Sequence, residues 1–571
     1  MQNIADRTLR VLLYPKVRYA LAWLVALVTV GGSLYYAWHS FDDSRRPDRN
    51  DGHSQIDFGC QWLMGRMLVE GHGRELYHRG RQRAILQAAY PRESEVPLEL
   101  RTEEERSAHD AENLLGWMIS HEDSAGLAAT VTPLAGADPF QAAVLAACGQ
   151  EQWEPRRLEK AMAARGGPLY PPIHAFVCYP LALLAPQPAY RVCQVANLVL
   201  ALVAALGISR LADGRVWWPV AITVIILYPG FKASINLGQN ATLSLAILTW
   251  GWVLMTRGRP GWGGLVWALL AYKPVWAAAF FLVPLLTRRW RMCAAMLAGG
   301  VTLALMTLPF VGWRNWLDWF QIGRDAAGMY STDINWVHVS RDLLNIPRRW
   351  LWVPEPADEW RAWWGAMLGW GLWLAVVGST VSLALLRRRQ AQAATGPVAA
   401  FLLLGAWMSC YHFMYYEILL TALPVLLLFT EPRRYLEPIL LAVVPFGRTV
   451  AQGGPSAYFE PTLPQNYPPP LEAFPAGPTS VAVLNRLVPS LLVLLLAIEH
   501  LFPALNVFVT VKAGVPGIGY TSPDGTISTL LSTPWDAYCL LVLWLWCGWQ
   551  WVRERPSQPE APAREPGSGP R

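Results

Sequence analysis

The feature that most constrains this chain is a succession of apolar runs, many of them near the roughly 20 residues needed to cross about 30 Å of hydrocarbon. They fall at 19–38, 192–208, 216–229, 237–256, 292–311, 363–386, 397–411, 415–430, 435–447, 482–502 and 536–553. In lipid a backbone must satisfy its own hydrogen bonds, so apolar runs of this length mean helices. Composition agrees: 53% of the 571 residues are hydrophobic and only 15% are charged, too few to cover a soluble protein of this length. The 30 Trp suit a membrane–water interface, where an apolar ring with one polar handle is at home. The expected fold is all-α and polytopic, with about 10–13 transmembrane helices and a large first extracytoplasmic loop.

Charge sets the orientation. The net charge is +6, but Arg and Lys stand in short clusters between apolar runs: Arg210/Arg215, Arg257/Arg259, Arg288/Arg289/Arg291, Arg387 to Arg389, and Arg433/Arg434. That is the pattern of cytoplasmic loops, not of a nucleic-acid groove. Arg7, Arg10, Lys16 and Arg18 precede the first run, which reads as an uncleaved anchor with its N-terminus inside. All clusters can be inside only if two proline-broken stretches, 171–186 and 262–286, each enter and leave on the same side. The second is cut at Lys273-Pro274 into pieces too short to span at about 1.5 Å per residue. The expected organisation is a cytoplasmic N-terminus and first helix over 1–38, then an extracytoplasmic loop over 39–170 with a charged insertion. A transmembrane core with the donor site occupies 171–447, C-terminal loops and helices 448–553, and a polar tail 554–571.

With that orientation the polar segments 230–240, 312–342 and 409–417 converge on the outer face. Asp57 stands where a hydrophilic run meets a stretch with Trp62, Leu63, Met67 and Leu68 at helical spacing, as in a helix lying in the interface. A half-desolvated carboxylate there can act as a general base; a helix N-cap is the plainer role. Tyr170, before Pro171-Pro172, can stack on a ligand or anchor at headgroup level. Gln239 and Asn240 follow Asn236 at the head of an apolar run, where they either cap a helix or bind sugar hydroxyls. Lys273, deep in an apolar stretch, costs on the order of 3 kcal/mol to insert, so it is expected to face an anion. Asn335, His338, Ser340 and Arg341 share an outer loop, and His412 sits among aromatics. Glu417, Glu499 and His500 carry no assigned role. No HExxH, paired His or Cys/His spacing suggests a metal ligand set, and no GxxxxGK[ST] cradles a nucleotide.

One carboxylate with cations, amides and aromatics suits a lipid-phosphate sugar, whose phosphate is already a leaving group. A glycosidase would need two paired carboxylates. The string Asp57-Phe58, Gly65-Arg66, Gly71, Leu76-Tyr77 and Tyr170-Pro171-Pro172 resembles the polyprenol-phosphate mannosyltransferases of glycosyltransferase family 87. So do Gly238-Gln239-Asn240, Arg257-Gly258-Arg259, Gly264-Leu265, Lys273-Pro274 and Arg288-Arg289-Trp290. The resemblance runs from about residue 55 to 293, with a weaker echo over 409–424. The segment between Tyr77 and Tyr170 is long and charged for the family, and Cys410 stands where a proline is expected.

The resemblance implies a GT-C fold and an integral membrane glycosyltransferase, in a bacterial plasma membrane, with its active site outside the cytoplasm. It implies transfer of a hexose, mannose in the best-known members, from a polyprenyl-phosphate donor to a glycolipid or glycan acceptor, with inversion. Asp57 would then be the catalytic base, Lys273, His412 and Arg341 would hold the donor phosphate, and Tyr170, Gln239 and Asn240 would line the sugar or acceptor site. Its partners would be membrane lipids, the donor and the acceptor, with no cofactor and no nucleic acid. The rival class is a transporter or flippase of a lipid-linked or anionic solute, built on the broken stretches with Lys273 at midplane.

Overall fold

The computed structural model describes residues 15–39, 57–89, 167–214, 216–332, 337, 340–351, 359–388, 390–393, 395–428, 510–511, 520–521, 527–528 and 535–553. Expected runs at 435–447 and 482–502, and most of the charged insertion, lie outside the described residues, as do Asn335, His338, Glu499 and His500.

Helices dominate. In chain order they are α1 (Pro15–His39), α2 (Asp57–Val69), α3 (Arg79–Ala89), α4 (Pro172–Ala182), α5 (Pro186–Leu211), α6 (Trp218–Leu227), α7 (Phe231–Leu237) and α8 (Ala241–Thr256). Then follow α9 (Pro260–Ala268), α10 (Pro274–Leu286), α11 (Trp290–Thr332), α12 (Asn345–Leu351), α13 (Glu359–Leu386), α14 (Gly396–Ser409), α15 (Ala422–Leu428) and α16 (Trp535–Arg553). Three two-residue strands, β1 (Thr510–Val511), β2 (Tyr520–Thr521) and β3 (Ile527–Ser528), pair antiparallel in the order β1-β3-β2.

Among the described residues four helical segments are long and apolar enough to cross a membrane: Tyr19–His39, Pro186–Leu211, Trp290–Arg324 and Trp363–Leu386. The pair α6 and α7, bent by 67°, makes a fifth if counted as one span. Shorter apolar helical segments occupy the expected runs at 237–256, 397–411 and 415–430, and α16 covers the run at 536–553. The chain is an all-α polytopic membrane protein, and the exposed Leu, Val and Trp on α1, α11 and α13 are its lipid-facing surface.

Proline sets the breaks. Pro172, Pro186, Pro219, Pro260, Pro274 and Pro397 each sit in the first turn of a helix, where the missing N–H costs nothing. The stretch 262–286 is a broken pair as expected: α9 tightens into a 3-10 turn (Leu269–Tyr272), breaks at Lys273, and resumes as α10.

The stretch after Asp57 is helical and turns its apolar side to protein. Phe58, Trp62, Leu63, Met64 and Met67 are all buried, and α2 packs along α4. Gly65 permits this close approach: a Cβ there would lie 2.7 Å from the Cys178 carbonyl oxygen and 2.8 Å from the Ala182 Cβ. The segment 312–332, expected as a polar stretch on the outer face, is helical. α11 breaks at Gly312 and then continues helically to Thr332. Its Trp319 Nε1 donates to the Leu169 carbonyl (3.0 Å) and Asn315 Nδ2 to the Arg74 carbonyl (2.9 Å), docking it on the first loop.

Candidate active site

Five separate pieces of chain meet at one polar nest inside this apolar molecule. α2 brings Gln61, four residues after Asp57, with which the helix begins. Gln61 Nε2 donates to the Gly238 carbonyl (3.2 Å), while its Oε1 accepts from Asn240 Nδ2 (3.0 Å) and from His174 Nε2 (3.3 Å). Those contacts place the His174 proton on Nε2. His174 belongs to α4, and its ring stacks on Tyr170 with centroids 4.0 Å apart and planes 14° apart.

The Gly238-Gln239-Asn240 link between α7 and α8 is the second wall. Gly238 takes a left-handed conformation (φ 63°), and a Cβ there would sit 2.6 Å from the Phe58 Cβ, so glycine is required on two counts. Neither Asn236 nor Asn240 caps a helix: Asn236 lies within α7, and Asn240 stands at the N-cap of α8 without a side-chain cap bond. The amides instead reach across elements. Gln239 Oε1 accepts from the Tyr170 hydroxyl and from Lys273 Nζ, both at 3.4 Å. The Tyr272 hydroxyl contacts the Asn240 carbonyl (3.1 Å) and the Ser244 hydroxyl (2.6 Å), locking the α9–α10 break against the head of α8.

Lys273 closes the nest. It is 7% exposed and forms an ion pair with Glu417, itself 3% exposed. The Tyr170 and Tyr416 rings flank the ammonium at 5.8 and 5.6 Å. The expected anion for Lys273 is thus present within the protein as the Glu417 carboxylate, a residue that carried no role in the sequence. Its partner lies 144 residues away, so no local spacing could announce the pair. Tyr170 stacks on His174, and its carbonyl accepts from the buried Tyr77 hydroxyl (2.6 Å). Burial, with the Asp318 carboxylate adding to it, pushes the Tyr77 phenol well up, so it stays a donor.

A second, charged cluster lies on the other side of Phe413. Arg341 is buried; its Nε donates to Asp536 (3.0 Å), and its backbone N–H donates to the Phe413 carbonyl (3.0 Å). His412 Nδ1 faces Asp342 at 3.3 Å. Asp342 also accepts from Ser340 and from the backbone and side chain of Asn345, which starts α12. Arg349 donates to the Val337 carbonyl (2.9 Å) and to the Ser340 carbonyl. Burial first, then the neighbouring Arg341, pull the Arg349 guanidinium below the ordinary arginine range, against the Asp536 and Asp342 carboxylates, which raise it.

The structure therefore brings Tyr170, Gln239, Asn240 and Lys273 together, with Asp57 at the start of the helix that carries Gln61. It gathers His412 and Arg341 into the adjoining cluster, both hung on the segment after α14. Sequence reasoning missed Gln61, His174, Glu417, Asp342, Arg349 and Asp536. A signal existed for some: His174 follows the Pro-Pro turn, and Asp536 opens an apolar run.

No group of three or more His, Cys, Asp and Glu able to hold a metal occurs among the described residues. The arrangement offers sites for a polyhydroxy ligand beside sites for an anion. No curated protein and no solved structure matches the chain. Residues 169–410, which carry Tyr170, Gln239, Asn240, Lys273 and Arg341, match the model of Glycosyltransferase family 87, a likeness that supports a membrane glycosyltransferase.

Proposed function

We propose that the protein transfers a hexose, mannose in our reading, from a polyprenyl-phosphate donor to a lipid or glycan acceptor on the extracytoplasmic face, with inversion. The observation that carries this reading is that Tyr170 and Lys273 meet on Gln239 while its neighbour Asn240 bonds Gln61, on the helix that Asp57 begins, in a chain that matches this family's model over 169–410.

In the proposed step Asp57 takes the proton of the acceptor hydroxyl as that oxygen attacks the anomeric carbon. The new C–O bond forms as the bond to the phosphate oxygen breaks, and the leaving polyprenyl phosphate keeps the electron pair. No second carboxylate is needed, because the leaving group departs as an already stable anion. Positive charge must meet it, and the guanidinium groups of Arg341 and Arg349 are the nearby cations that can supply it. Tyr170, Gln239 and Asn240 line the sugar. Lys273 arrives with its charge already balanced, a point taken up below.

The test is transfer of radiolabelled mannose from polyprenyl-phosphate mannose to membrane lipids by the purified chain and by Asp57→Asn. Loss of about 10²-fold or more in the variant, with an unchanged melting temperature, is the expected result for a general base. Full transfer by the variant would reduce Asp57 to a structural residue. The bend between α6 and α7 and the break at Lys273 also suit a transporter of a lipid-linked solute. A transporter would tolerate Asp57→Asn and fail on Lys273 substitution.

A further inference from the structure

Among the described residues three buried polar atoms in the nest have no hydrogen-bond partner, His174 Nδ1, Glu417 Oε2 and Gln239 Nε2, and the last two adjoin Lys273. Glu417 Oε2 and Gln239 Nε2 are both sealed from water, and neither makes a hydrogen bond. Each sits on a side chain whose other terminal atom is held. Glu417 Oε1 and Gln239 Oε1 both bind Lys273 Nζ, so one ammonium fixes an acceptor and a donor side by side. Leaving such atoms empty is costly, and native folds keep few of them. A ligand that donates to one and accepts from the other removes the cost.

The charges decide what that ligand is. Lys273 and Glu417 cancel, so a phosphate placed here would meet an unpaired-acceptor carboxylate oxygen as closely as the ammonium. A neutral sugar meets no such penalty: one hydroxyl donates to Glu417 Oε2, and an adjacent oxygen accepts from Gln239 Nε2. Tyr170 and Tyr416, which flank the ammonium, offer aromatic faces at the same place. We infer that Lys273, Glu417 and Gln239 form a clamp for two neighbouring hydroxyls of the transferred hexose, with Glu417 the specificity-determining residue and Lys273 positioning it. The donor phosphate then belongs with the Arg341, Arg349 and His412 cluster. This inference rests on the glycosyl-transfer reading and reassigns Lys273 within it.

The test compares two radiolabelled ligands binding to the full chain in lipid nanodiscs: polyprenyl-phosphate mannose, and polyprenyl phosphate without sugar. Glu417→Gln is expected to weaken the sugar-bearing ligand by about 10-fold or more, as for a lost charged hydrogen bond. Binding of bare polyprenyl phosphate should stay within about 2-fold. The double variant Lys273→Met with Glu417→Gln leaves no unpaired buried charge and guards against a folding failure in the single one. It should show the same pattern. Equal weakening of both ligands would make the pair a phosphate site, and no change in either would make it purely structural; each overturns the clamp.

Transfer assays on the same preparations separate the two readings. A wild type that shows the binding pattern but transfers nothing keeps the clamp and loses the reaction. One that transfers without the pattern keeps the reaction and loses the clamp. A wild type that binds neither ligand overturns both.

Discussion

Gln61 donates to the Gly238 carbonyl and accepts from Asn240 and His174, tying α2 to α4 and to the head of α8. Truncation to Ala leaves buried donors and a buried carbonyl without partners, a cost of about 1–3 kcal/mol each before relaxation. Gln61→Ala is expected to lower the melting temperature of the detergent-solubilised protein and to lose transfer activity. Gln61→Glu keeps the acceptor for Asn240 and His174 but loses the donor to Gly238, so it should fall between the two. The Lys273–Glu417 pair obeys a sharper rule. Removing one partner strands a buried charge, at about 3–5 kcal/mol, while removing both with isosteres is close to neutral. Thermal unfolding of Lys273→Met, Glu417→Gln and the double variant should show the double as more stable than Lys273→Met alone. Equal destabilisation by all three would mean the pair is wetter than its burial says. At this scale the sequence exposed Lys273, because a lysine in an apolar stretch is conspicuous, and concealed Glu417, because a carboxylate near the end of an apolar run looks like a boundary.

Breaks between helices, more than the helices themselves, build the site. Every sugar-side residue stands where a helix starts or stops: Tyr170 before α4, Gln239 and Asn240 between α7 and α8, Lys273 between α9 and α10. Backbone leaving its helical pattern at such depth frees polar groups, and the nest's hydrogen bonds re-satisfy them. These breaks were legible, since proline and glycine mark them in the chain. The path after Gly312 was not, because a run with Arg314, Asn315, Asp318 and Arg324 reads as polar loop while its Trp and Phe recur at helical spacing. The burial of α2 was not legible either, because its partner α4 lies beyond the long insertion. Gly65→Val tests that packing directly. The side chain would drive into the Cys178 backbone and the Ala182 methyl, and overpacking of this kind costs about 1–3 kcal/mol. Displacing α2 also moves Gln61 and Asp57 together, so transfer should fall by more than the loss of folded protein accounts for. Activity that only tracks the folded fraction would mean the site tolerates a shifted α2.

Across the whole molecule, the same helices carry the nest at one end and basic residues at the other. α8 runs from Asn240 to Arg257, and its 16 residues measure about 24 Å at 1.5 Å per residue. α9 and its 3-10 turn run from Arg259 to Lys273, and α10 runs from Lys273 to Arg288 and Arg289, so each piece joins the break at Lys273 to a basic end. α14 separates the basic residues beyond α13, Arg387 and Arg388, from His412. Arg and Lys are retained on the cytoplasmic side of a membrane. If the basic ends are inside, the nest opens outside, which is what a donor presented on the outer leaflet requires. Cysteine labelling decides this. Arg257→Cys lies on an exposed turn at the basic end, and Tyr411→Cys lies on the exposed segment beside His412, where Tyr411 is 45% exposed. With unsubstituted protein as the blank, a membrane-impermeant maleimide added to intact cells should label Tyr411→Cys and spare Arg257→Cys until the cells are broken. The reverse pattern would turn the molecule over and put Asp57, the sugar site and the phosphate cluster in the cytoplasm. That outcome would leave the nest's chemistry intact but would require a donor displayed on the inner leaflet, so this labelling experiment constrains the substrate as well as the topology.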